Sequence, residues 1–239
     1  MVVDGEYGGV VMYCYEFDIN TAFGWIGDNF SSFFEPVATL AATFIGAWLA
    51  FRYQEKLDEK KQLNTQAESG NRVLFQLVDN LNWLENTKRQ MIDPYRSEPG
   101  RMLLMRPVFS PAPQTNIDIE SVEFLISKGQ AELLGELSIE RRKFQQSIAL
   151  ESERSKFYLE QVNPALERSG VMNGQEVTAV QVRAALGESA FFLLHDLTGH
   201  YIDQVDKTII SHTEMAERLR DALGESFPDH SFISFSIEK

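Results

Sequence analysis

A single cysteine, Cys14, leaves this 239-residue chain without an intrachain disulfide or a cysteine-rich zinc site, so its fold rests on packing. Basic residues are scarce as well. The 22 Lys and Arg stand against 35 Asp and Glu, and a net charge of -13 disfavours the phosphate contacts that nucleic-acid binding needs. No nucleic-acid partner is expected. Also absent are GxxxxGK[ST], a GxGxxG after a strand, HExxH, GxSxG and an EF-hand loop. No cofactor is expected, and the chain reads as a protein other than an enzyme. What remains is ordinary globular usage, 44% hydrophobic and 24% charged.

The shortage of basic residues is uneven. Residues 1–51 contain no Lys, Arg or His but carry Asp4, Glu6, Glu16, Asp18, Asp28 and Glu35. From Pro36 to Tyr53 the only charge is Arg52, and Phe33 and Phe34 extend the apolar run. A helix over 33–53 would be roughly 30 Å long, the thickness of a bilayer's hydrocarbon core. Trp25 and Phe30 toward one end, with Trp48 and Tyr53 toward the other, suit the two interfaces. Pro36 suits a first helical turn, capped by Ser31 or Ser32. Arg52, Lys56, Lys60 and Lys61 follow at once, which predicts a single-pass protein of the plasma (inner) membrane, N-terminus outside and C-terminal domain cytoplasmic. A cleaved signal peptide would need a positive region ahead of the run, where this chain has acids. The competing reading is a buried helix of a soluble protein, because the run is short and holds Thr39 and Thr43.

Within the span Ala38, Ala42, Gly46 and Ala50 recur every fourth residue and form a small-residue face of the kind that lets helices approach closely. A homo-oligomer in the lipid bilayer is the expectation, with Cys14 on the outer tail. Beyond the span, Gln54 to Arg72 is sparse in apolar residues and reads as a solvated stalk with one soft point at Gly70. A buried stripe then begins near Val73 with Leu74, Leu77, Leu81, Leu84 and Met91. A straight helix from Tyr53 to Ile92 would put its far end on the order of 60 Å from the membrane surface.

Pro94, Pro99, Pro107, Pro111 and Pro113 make 93–117 an irregular connection whose Met102–Met105 run, with Val108 and Phe109, is expected to pack on the bundle. Lys88, Arg89, Arg96, Arg101 and Arg106 give it a basic patch that could take an anion or an acidic partner, although solvated or ion-paired arginines are the simpler reading. A short helix is predicted from Asp118 to Lys128, ended by Gly129. A long one follows over 131–162 with the stripe Leu134, Leu137, Phe144, Ile148, Ser155, Tyr158, Leu159 and Val162, and Pro164 stops or kinks it. Arg141, Arg142 and Lys143 read as its solvated face. After a turn at Asn173 and Gly174 come a short helix over 176–186 and a final long one over 189–223. Phe232, Ser234, Phe235 and Ile237 alternate in the tail as an extended segment would.

The fold class expected is all-α, a transmembrane helix continuing through a stalk into a cytoplasmic bundle of about three long and two short helices. The segments are a tail over 1–32, the span 33–53, the stalk 54–72, the bundle 73–228 and a tail over 229–239. The weak metal candidate is Asp196, His200 and Asp203, which share a helical face with His195 and Asp206 nearby; Glu176 and Glu188 are generic additions, and surface acids beside a histidine explain it more simply. His212 continues the apolar stripe and reads as a core histidine. The functional expectation is a membrane-anchored interaction, scaffold or sensor protein with an unknown cytoplasmic protein partner. One alternative is an effector of a bacterial stress or antiphage defence system that perturbs the bilayer when activated. A membrane-anchored metal-dependent enzyme ranks last. No motif is specific enough to name a family.

Overall fold

The structure, a computed structural model, describes residues 19–107, 116–171 and 177–234, with side chains from Pro36 onward. Residues 1–18 of the acidic tail with Cys14, Val108 and Phe109, Pro111 and Pro113, the Asn173–Gly174 turn, Glu176, and Phe235 with Ile237 lie outside the described residues, and 19–32 of that expected tail is helical. The chain is all-helical, with no strand among those residues. It forms two compact units, Met1–Lys60 and Lys61–Lys239.

Helix α1 covers Ile19–Thr87 with Pro36 inside it, so the expected start at Ser31 or Ser32 is corrected. In the first unit every described side chain from Pro36 to Lys60 is exposed. No helix among the described residues is long and apolar enough to cross a membrane. For the expected span this follows from Pro36, Thr39, Thr43, Arg52 and Tyr53, which dilute the apolar run; Phe33 and Phe34, which open it, have no described side chains.

In the second unit burial on α1 starts at Ala67 and Gly70. Gly70 is no soft point: a Cβ there would lie 2.5 Å from Leu223 Cδ2, so the glycine marks a close approach to α7 (Glu188–Ser226). Three buried clusters then run along the bundle. Val73, Leu74 and Leu77 meet Leu133 and Leu137 of α4 (Ala131–Phe157) and Met215, Leu219 and Leu223 of α7. Leu81 and Leu84 meet Phe144 with Tyr201, Val205 and Ile209. As numbers rise along α1 and α4 they fall along α7, so α7 is antiparallel to both.

Both long helices change winding at the same kind of place. A five-residue π-turn, Lys88–Ile92, ends with the Asp93 N–H donating to Lys88 O, one residue before Pro94. A second, Tyr158–Val162, ends with Asn163 N–H donating to Tyr158 O, one residue before Pro164. Proline has no N–H to donate and its ring crowds the carbonyl four residues back, so the wider bond pattern keeps the chain helical where an α-turn would clash. Pro164 therefore neither stops nor breaks the rod, which runs on as α5 (Asn163–Arg168).

Between them Met102–Met105 does not remain irregular. Arg101–Leu104 forms one helical turn, α2, with Met102 and Met105 buried. The segment expected as one helix from Asp118 is a 3-10 turn, Glu120–Val122, followed by α3 (Phe124–Ser127) and Gly129 at φ 78°. Asp118 Oδ1 accepts from Ser121 N–H at 3.3 Å. Helix α6 (Ala179–Leu186) starts at a capping box of Thr178 and Gln181, and Gly187 at φ 81° separates it from α7. Phe232 packs on the first cluster, and Ile233 N–H donates to Asn71 Oδ1 at 3.1 Å.

Candidate functional site

The face of α4 turned inward is Leu133, Leu137, Glu140, Phe144, Ser147, Glu151, Arg154 and Tyr158, at alternating spacings of four and three. This is an a/d heptad spacing in which Glu140, Ser147 and Arg154 recur every seven residues and Glu151 adds a fourth polar group. Of the other residues that sequence spacing puts there, Ile148 packs on the second cluster, Ser155 is half-buried and Leu159 is exposed. The available signal was the seven-residue spacing of Glu140, Ser147 and Arg154.

Glu140, Ser147 and Arg154 each meet a partner across the bundle. Glu140 accepts from His212 Nδ1–H at 2.8 Å, Ser211 Oγ–H at 2.7 Å and Lys143 Nζ at 2.7 Å. Burial raises the Glu140 carboxyl, but these donors outweigh it and hold the pKa at about 2. The carboxylate is thus an acceptor only, which places the proton on His212 Nδ1. His212 is fully buried, and its Nε2 has no hydrogen-bond partner in the structure. Ser147 and Thr208 hydroxyls lie 3.3 Å apart.

Arg154, 1% exposed, makes the rung nearest α6. Its Nε donates to Thr198 Oγ1 at 3.0 Å, and its Nη2 donates to Met102 O at 3.0 Å and also to Met105 O. Tyr158 Oη–H donates to Leu103 O at 3.3 Å. The α2 turn therefore hangs on two α4 side chains. Burial pushes the Glu151 carboxyl up to about 7, with the nearby Arg154 charge opposing. Burial and the Glu151 charge also raise the Tyr201 hydroxyl, which is fully buried and has no hydrogen-bond partner in the structure.

Beside this clamp lies a cavity of about 700 Å³, bounded by the α2 turn, Tyr158, α5, α6 and the start of α7. Its walls are mainly apolar, with Met102, Leu103, Leu166, Val182 and Phe191 prominent. Arg106, Asn163, Glu167 and His195 supply the polar groups. Asn163 Nδ2–H donates to Glu167 Oε1 at 2.9 Å.

The expected basic patch is dispersed. Arg96 makes a bidentate pair with Asp206 at 2.7 and 2.9 Å and also reaches Asp93; Arg89 donates to Asn86, and Arg101 to Arg96 O. Lys88 stands half-buried in the first π-turn. Only Arg106 lines the cavity. Asp196, His200 and Asp203 are exposed on α7, and among the described residues no group of three His, Cys, Asp or Glu is placed to hold a metal. Ala38, Ala42, Gly46 and Ala50 are all exposed, with nothing within 4 Å of a Cβ on Gly46. In comparisons with known proteins, no family model, no curated protein and no solved structure matches the chain.

Proposed function

We propose that this is a membrane-anchored, self-associating interaction or sensor protein, with residues 33–53 in the inner membrane, the N-terminus outside and the bundle in the cytoplasm. The observation that carries it is the exposure of large apolar side chains with no protein cover in the first unit: Leu40 is 71% exposed, Phe44 75% and Phe51 76%. At about 100° per residue Val37, Leu40, Phe44, Ile45, Trp48 and Phe51 fall on one half of the helix. Ala42, Gly46, Ala50, Thr39 and Thr43 fall on the other, with Leu49 at its edge between Ala38 and Ala42. Large side chains toward lipid and small ones toward a second helix is the division that packing in a bilayer favours. The Thr43 hydroxyl donates to Thr39 O at 2.7 Å, which removes a polar group that lipid could not satisfy. Arg52, stacked 5.4 Å from the Trp48 ring, and the lysines behind it support the cytoplasmic orientation.

The test is cross-linking of the full chain in bacterial membranes, with Gly46→Leu as the disrupting variant and Phe44→Leu as the control on the large face. Loss of cross-linked species in the first but not the second is expected; equal cross-linking of all three contradicts self-association through this face. The bilayer-perturbing effector reading makes a separate prediction. It requires growth arrest on expression that disappears with Gly46→Leu, and its absence removes that alternative.

A further inference from the structure

The cavity beside the α2 turn stands apart from the membrane reading, since no residue of 36–53 contributes to it. Its volume of about 700 Å³ lies within the range of small-molecule sites. Two of its polar groups are already occupied by the protein itself: the Tyr158 hydroxyl bonds Leu103 O, and the Asn163 amide bonds Glu167. The interior between Met102, Leu103, Leu166, Val182 and Phe191 offers an apolar body contact, with Arg106, Glu167 and His195 as the other polar side chains of the lining. Arg106 is different. It is exposed, lines the same cavity and makes no ion pair among the described residues. The Tyr158 hydroxyl, which burial raises, feels the Arg106 charge as an opposing influence, so the guanidinium lies toward that wall.

We infer that this cavity binds a small amphipathic acid, its chain or ring between α2, α5 and α6 and its carboxylate on Arg106. Charge decides the class. A guanidinium favours a planar carboxylate with two parallel hydrogen bonds, whereas Glu167 on the α5 wall repels an anion and so orients the acid toward Arg106. Because the α2 turn is clamped by Arg154 and Tyr158, the wall that carries Arg106 is held in place before ligand arrives, which limits the ordering penalty of binding.

The experiment uses the full chain in a non-ionic amphipathic polymer, with 13C-methyl methionine and the Met102 signal assigned by Met102→Leu. Octanoate and octanamide are the probes. The expected result is a saturable shift of the Met102 methyl with octanoate, about tenfold weaker affinity for octanamide, and near-equal affinity of the two in Arg106→Gln. Val182→Trp, which fills the cavity, should abolish both. Arg106→Gln changes an exposed side chain, so it remains informative even where Val182→Trp fails to fold. No saturable Met102 shift, or equal affinities of octanoate and octanamide for the unaltered chain, overturns the inference.

Discussion

Glu151 and Glu140 share one face of α4, and burial works on both with opposite outcomes because only Glu140 is surrounded by donors. For Glu151 the folded pKa of about 7 lies above the ordinary carboxyl value of 4.5, so between those values the folded chain holds a proton that the unfolded chain releases. Stability should be fully retained below the lower value and fall as pH rises through the upper one. Glu151→Gln stays neutral throughout. It should unfold at higher denaturant than the parent at pH 8, by about 1–3 kcal/mol, with the gap closing by pH 4. A second test concerns Arg154. Arg154→Ala leaves Thr198, Met102 O and Met105 O without their donor and should cost about 3 kcal/mol in chemical unfolding. Arg154→Lys should restore little, because one ammonium on a flexible stem cannot copy the guanidinium fork. Neither role was readable residue by residue. A charged side chain in mid-helix reads as solvated, and only the partner positions on α2 and α7 show otherwise.

At the scale of elements, helix existence was legible and helix faces less so. The final helix is expected from sequence with Ala190, Leu194, Leu197, Tyr201, Val205, Ile209, Met215 and Leu219 inward, and all are buried except Ala190 and Leu197, which are half-buried. Its apolar stripe is dense enough to outvote its polar members Thr198, Thr208 and His212. On the long helix before Pro164, Leu137, Phe144, Tyr158 and Val162 are buried and Leu134 and Ile148 pack on the core as expected. Leu159 is exposed, however, and the buried Glu140, Ser147, Glu151 and Arg154 are missed, because counting apolar residues overlooks a seam that is half polar. Pro164 is read from sequence as a stop or a kink, and a π-turn carries the chain helically past it, whereas at Pro94 the long helix does end, one 3-10 turn later. Gly70 was read as weakness in α1 because a glycine's missing side chain says nothing of what fills the space. Here Leu223 fills it. Gly70→Ala should therefore destabilise the bundle by about 1–3 kcal/mol despite alanine's better helix propensity. Gly46→Ala, with open space around it, should leave thermal unfolding of the bundle unchanged.

At the scale of the molecule, the two units have opposite surfaces. The bundle gathers much of its apolar surface in three buried clusters, although Phe75, Ile126, Val180 and Ile210 among others stay exposed, whereas the 36–53 stretch exposes every apolar side chain. Soluble monomers rarely leave so large a contiguous apolar surface uncovered, and that contrast motivates the membrane proposal. Sequence patterning supplies the charge asymmetry behind that proposal, which needs no tertiary information. The cavity was invisible to it, since Arg106, Tyr158, Val182 and Phe191 come from four separate segments.

The measurement that bears most directly on the account is carbonate extraction of the full chain from bacterial membranes, beside a variant carrying Leu40→Lys and Phe44→Lys. Each lysine at mid-span should oppose insertion by about 2.5–3.5 kcal/mol. The account predicts that the parent stays with the membrane pellet and that the variant washes off with its bundle still helical. A parent chain released by carbonate would contradict it, and would assign the exposed face of 36–53 to another protein surface instead of lipid.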